Sequence, residues 1–168
     1  MTRSLLALML GLSLTGGVSA AERLWFDDRQ LELKAQARAC YLGFIKLYDV
    51  DFFRNQAEST SCVRLSYLRD FDAETLGEAT QKVFEDRHGA GVVSRYRPEL
   101  DQVASAYRSV EPGDQYLYCL GSDGTGSLMR DDAPTLRLPS TDFARRFLQI
   151  WVKGEDDLGN PQWGFGSC

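Results

Sequence analysis

The chain has 168 residues, with 19 Lys and Arg against 24 Asp and Glu, a single histidine and four cysteines. That length suits one compact domain, and a net charge of −5 with no basic block argues against nucleic acid and anionic membrane surfaces as partners, since both need clustered Lys and Arg. The lone His88, in "EDRHGAG" with no cysteine near it, is too little for a tetrahedral zinc site, so neither a metal nor another cofactor is expected.

In "MTRSLLALMLGLSLTGGVSAAE", Arg3 precedes an apolar run from Leu5 to Leu14 and small residues ending in Val18-Ser19-Ala20, the make-up of a secretory signal peptide. The run is shorter than the about 20 residues that cross a bilayer, and no later segment comes close. The expectation is a cleaved leader, residues 1–20, and one mature domain, residues 21–168, with no integral membrane segment, in the periplasm or secreted. In that oxidising setting Cys40, Cys62, Cys119 and Cys168, far apart and without a CxxC pair, predict two disulfides with three connectivities open.

From Leu31 the chain alternates, with Leu31, Leu33, Ala35, Ala37, Ala39 and Tyr41 on one side and Glu32, Lys34, Gln36, Arg38 and Cys40 on the other, which predicts a strand. Gly43 interrupts it, and the aromatic and β-branched run Phe44 to Phe53 completes a hairpin. A three-residue loop, Leu42 to Phe44 or Tyr41 to Gly43, would put Arg38 and Tyr48 on one face, whereas a two-residue loop would separate them. Gly43 suits the left-handed position that three-residue hairpins favour.

"CVRLSYLRDF" predicts another strand, with Val63, Leu65 and Tyr67 on one side. A helix follows, with Asp72 as cap, Glu74 complementing its dipole, and Leu76, Ala79, Val83 and Phe84 as its apolar stripe. His88 beside Gly89 ends it, and Pro98 opens a second helix carrying Leu100, Val103, Tyr107 and Val110, which stops at Glu111-Pro112-Gly113-Asp114. Three short strands come next: "QYLYCLG", a turn through Ser122-Asp123-Gly124, "GSLMR", a turn through Asp131-Asp132-Ala133-Pro134, and "TLRLP". Ser140 then caps a last helix, "TDFARRFLQIWV", which buries Phe143, Phe147, Ile150 and Trp151 while Arg145 and Arg146 face solvent. The order of strands, helices, strands and helix predicts α+β, an open-faced sandwich of one long antiparallel sheet with helices on one face. In the glycine-rich tail, a disulfide from Cys168 would hold Trp163 and Phe165 over the core or a cleft mouth.

"IKLYDVDFF", "RLSYLRDFDAETLGEA", "GDQYLYCLGSDGTGSL" and "STDFARRFLQIWVKG", in that order, resemble the chalcone isomerase-like family in its exported bacterial branch. The resemblance implies a ligand cleft between sheet and helices. That family holds isomerases, which close a flavonoid ring, and relatives that bind fatty acids without catalysis. By resemblance Arg38 takes the place of a cleft arginine, and Tyr48 the place where isomerases carry threonine and fatty-acid binders tyrosine. The isomerases' tyrosine and asparagine near the next helix have no counterpart in "RDFDAETLGEATQ".

The resemblance points to a non-catalytic binder of an apolar anionic small molecule such as a fatty acid, its head group held by Arg38 and Tyr48. A guanidinium grips a carboxylate through two hydrogen bonds and a phenol donates a third, while the tail contributes about 0.8 kcal/mol per buried methylene. The plainer reading of Arg38 is a solvated strand residue paired with Glu32, Asp49 or another carboxylate. The alternatives in function are an intramolecular lyase of the isomerase type and an envelope interaction protein whose cleft its own side chains fill.

Overall fold

A computed structural model describes residues 22–155 and 161–168; the expected leader, residues 1–20, lies outside the described residues. Seven strands pair in chain order into one antiparallel sheet: β1 (Arg23–Phe26), β2 (Arg29–Tyr41), β3 (Ile45–Asn55), β4 (Thr60–Tyr67), β5 (Gln115–Leu120), β6 (Gly126–Arg130) and β7 (Ala133–Leu138). Between β4 and β5 the chain forms α1 (Ala73–His88), α2 (Ala90–Arg95) and α3 (Arg97–Ala106), and after β7 it forms α4 (Thr141–Leu148) and a small hairpin of β8 (Val152–Glu155) and β9 (Pro161–Trp163). The α+β architecture with helices on one face is the one expected, because strands joined by tight turns can pair only with their neighbours and the helical stripes need an apolar sheet face to cover.

The boundaries follow local chemistry. The Thr75 N–H donates to Asp72 Oδ1 at 2.7 Å, capping α1, and Gly89, at a φ of 85°, ends it with its N–H on the Glu85 carbonyl. The β6–β7 turn uses only Asp131 and Asp132, both at positive φ, so the strand starts at Ala133, before Pro134; two left-handed residues are what a two-residue hairpin of matching twist requires.

Two helices are shorter than the apolar spacing predicts. α3 stops at Ala106 because Val110 leaves to exchange backbone hydrogen bonds with Phe71, at 2.8 and 3.0 Å. α4 stops at Leu148, and Ser140 occupies its N-cap position without a side-chain hydrogen bond. Tyr107, Val110, Ile150 and Trp151 are nonetheless buried; burial selects these residues whichever backbone carries them.

The main core lies between the sheet and the helices, where Val50, Phe52, Val63, Leu65, Tyr67, Tyr116 and Tyr118 meet Leu76, Phe84, Leu100, Val103, Phe143, Phe147 and Trp151. On the open face a smaller cluster of Leu31, Phe53, Leu117 and the Cys62–Cys119 disulfide is sealed by Leu24, Phe26 and Leu33. Cys62 and Cys119 are direct partners across β4 and β5, a pairing the spacing of the cysteines left open.

The single-sided alternation expected of β2 does not hold along its length. A bulge between Leu33 and Ala35 inserts Lys34, so Leu33 pairs with Phe53 on the open face, while Ala35, Ala37 and Ala39 pair with Phe52, Val50 and Tyr48. One extra residue reverses the facing of everything beyond it.

Candidate functional site

The β2–β3 hairpin turns through Leu42, Gly43 and Phe44, with Tyr41 opposite Ile45, one of the two loops that would put Arg38 and Tyr48 together. Gly43 takes the left-handed position, at a φ of 78°. A second bulge undoes the convergence: Cys40 pairs with Lys46, but the next pair is Ala39 with Tyr48, leaving Leu47 as the extra residue. Arg38 therefore opposes Asp49 and projects from the open face, while Tyr48 projects beneath the helices.

The expected clamp of Arg38 and Tyr48 does not form. Arg38 donates through Nε and Nη2 to Asp49 Oδ1 and Oδ2, at 2.5 and 3.0 Å. The guanidinium's hydrogen bond holds the Asp49 carboxyl below the usual carboxylate range. This is the plainer arrangement, and it continues along the open face as Gln36 and Arg64 both donate to the buried Asp51.

On the helical side lies a cavity of about 120 Å³. Leu47 and the α1 stripe of Thr75, Ala79 and Val83, spaced one turn apart, line it together with Tyr48, Leu65 and Tyr67 of the sheet and with Tyr107, Ile150 and Trp151; Thr75 and Ala79 are exposed and mark its mouth. The bulge at Leu47 brings two consecutive residues of β3 to the cavity wall.

The described residues lining the cavity are all uncharged, and its polar atoms are hydroxyls and an indole N–H. Burial pushes the Tyr48 hydroxyl up to about 12, opposed by the neighbouring Trp151 indole. Burial also raises Tyr107, whose hydroxyl lies 3.0 Å from Thr80 Oγ1, and Tyr67, whose hydroxyl has no hydrogen-bond partner among the described residues. All three phenols stay protonated at neutral pH.

The C-terminal segment straps the Tyr48 side of this cavity. The Gly164 N–H donates to the Trp151 carbonyl at 2.7 Å, Arg87 Nη2 donates to the Gly164 carbonyl at 2.6 Å, and the Phe165 ring packs 6.3 Å from that of Tyr48. Gly164 has to be glycine, because a Cβ there would collide with the Ile150 carbonyl. Ser167 then bridges Ala39, the Cys40 N–H donates to the Gly166 carbonyl, and the Cys40–Cys168 disulfide locks the end. Trp163 and Phe165 reach the core as the tail composition suggested.

Reading the sequence missed Tyr67, Tyr107 and Trp151 as site residues because each occupies a position that ordinary core packing also explains. The bulge left a legible trace: the apolar residues of β3 fall on odd positions at Ile45 and Leu47, then on even ones at Tyr48, Val50 and Phe52. Such a change of parity within one strand marks an inserted residue.

Comparison with known proteins supports this fold. No curated protein matches the chain. The crystal structure of an Arabidopsis thaliana fatty-acid binding protein shares the fold with a TM-score of 0.60 at 11% identity, over 82% of this chain and 93% of that one. A family model described as chalcone isomerase-like matches residues 14–157. By that match, and by a seven-stranded antiparallel sheet with its helices on one side, the chain belongs to the chalcone isomerase-like family.

Proposed function

We propose that this protein is an exported, non-catalytic binder of a compact apolar small molecule, held in the cavity between β3, β4 and α1. Residues 1–20 would be removed on export and residues 21–168 would form the mature domain. The observation that carries the reading is an apolar hollow, open at one side and furnished with phenol hydroxyls, in a region that a purely structural core would fill. An open cavity does not fit the alternative of an interaction protein whose cleft is packed by its own side chains. The fatty-acid binding of the Arabidopsis neighbour favours ligands of the acyl class, and two disulfides favour an oxidising compartment.

Size limits the ligand. An apolar cavity of roughly 150 Å³ accommodates benzene, so about 120 Å³ suits a short chain or a single ring. A long acyl tail would extend through the mouth past Ala79 or require the strap to move. Tyr48 lines the cavity, while Arg38, on the other face of the sheet and paired with Asp49, takes no part.

Thermal denaturation with short acyl compounds tests the reading. A ligand at about a hundred times its Kd adds roughly 2.7 kcal/mol of stability, read as a rise in Tm. Ala79 is exposed at the mouth, so Ala79→Trp is expected to leave folding intact and abolish the rise. Arg38→Ala is expected to keep it in full. An undiminished rise in Ala79→Trp would move the binding elsewhere, and loss of the rise in Arg38→Ala would restore that residue to the site.

A further inference from the structure

We infer that the cavity accepts its ligand with an uncharged polar group, a carbonyl or other hydrogen-bond acceptor, and admits acids only in their protonated form. The inference rests on the binding reading above and specifies its ligand class.

The walls carry hydroxyl hydrogens that the fold leaves unused. The Trp151 indole that lines the cavity beside Tyr48 can only donate, so it leaves the Tyr48 hydrogen available. Tyr67 lines the same cavity, and its hydroxyl has no partner among the described residues. Tyr107 and Thr80 share one hydrogen bond at 3.0 Å, which occupies one of their two hydroxyl hydrogens. The hydroxyls of Tyr48 and Tyr67 thus offer donors to an otherwise apolar space, and an acceptor complements them.

Among the described residues, no cation lines the cavity to compensate a carboxylate. Arg38 is across the sheet on Asp49. Arg87, one turn beyond Val83 on α1, is directed to the Gly164 carbonyl. Arg130 of β6 is near enough to Tyr67 to oppose slightly the rise in its pKa, but it lies over the outer ring of Tyr116 and pairs with Asp114 and Asp131. None of the three lines the cavity. A buried carboxylate without a paired cation takes up a proton in preference to staying charged. The raised phenols report the same environment, one that disfavours negative charge.

The test compares hexanoic acid with pentyl methyl ketone, which carries a methyl group in place of the acid hydroxyl, by calorimetric titration at acidic and mildly alkaline pH. The ketone is expected to bind with one affinity throughout. Hexanoic acid is expected to weaken roughly tenfold for each pH unit above its own pKa, because only the neutral fraction is competent. Tyr67→Phe is expected to weaken the ketone by about five- to tenfold, the worth of one neutral hydrogen bond, while hexane, which has no acceptor, binds both proteins alike. Hexanoate that binds as well as the ketone at mildly alkaline pH overturns the inference and leaves the cavity reading standing. If neither compound binds at any pH, or if Ala79→Trp binds them unchanged, the cavity reading fails and the inference falls with it.

Discussion

Replacing Cys40 and Cys168 together by serine is expected to cost about 2 to 5 kcal/mol of stability and to weaken binding in the cavity. The bridge closes a loop with a sequence separation of 128 residues, against 57 for Cys62–Cys119, and longer loops lose more chain entropy when cross-linked. Without it the last residues keep only the Ser167 bridge to Ala39, the Cys40 N–H bond to Gly166 and the contacts at Gly164 and Phe165. Chain ends held so lightly fray, and fraying here uncovers Tyr48 and Trp151. The two disulfides also differ in access: Cys168 is exposed, whereas Cys62 and Cys119 are fully buried. Mild reduction of the folded protein should therefore free two thiols, and the other two only on unfolding. Urea denaturation, carboxypeptidase trimming and thiol labelling measure these effects. A serine variant with the parent's urea midpoint and the parent's resistance to trimming would show that the strap holds without its bridge.

Alkali is expected to unfold the protein steeply as pH rises from 10 toward 12. Burial raises four phenols, Tyr48, Tyr67, Tyr107 and Tyr118, above their ordinary value of 10.0. In the unfolded chain they release protons near that ordinary value, while in the folded chain they retain them. Above pH 10 the unfolded state thus binds fewer protons, and stability declines with pH. For Tyr48, raised to about 12, the loss reaches about 3 kcal/mol once the folded pKa is passed. Several such groups match the about 5 to 15 kcal/mol that holds a typical domain. Tyrosinate absorbance and near-ultraviolet dichroism followed together should change in one transition. Tyr67→Phe sacrifices no hydrogen bond seen among the described residues and should move that transition to higher pH. Full ionisation with the tertiary dichroism intact would contradict this account.

The site was legible only in part, and Arg38 and Tyr48 show why. The identity of both strands follows from residues close in sequence and is as expected, while the sequence left the loop open and the structure takes the one through Leu42 to Phe44. Whether the two side chains share a face depends on the parity between loop and pair, which the single extra residue Leu47 reverses. The shift of apolar residues from odd to even positions in β3 hints at an insertion, but the same hint could place it at Leu47 or across the strand in β2, where Lys34 makes the other bulge. Tyr67 and Tyr107 were legible as core and not as cavity, since a hollow is defined by what the surrounding elements fail to fill.

Local pattern was enough to place β2 to β7, α1, α3 and α4, the cap at Asp72, the stop at Gly89, the α+β class and the burial of Phe143 and Phe147, but not β1, α2 or the β8–β9 hairpin. These depend on periodicity and turn chemistry within a few residues. Only the tertiary structure decided which cysteines pair, which face Arg38 occupies and where a hollow remains. Each of those is a relation between segments far apart in the chain, set by register and by the packing of helices against the sheet, and no local pattern encodes it.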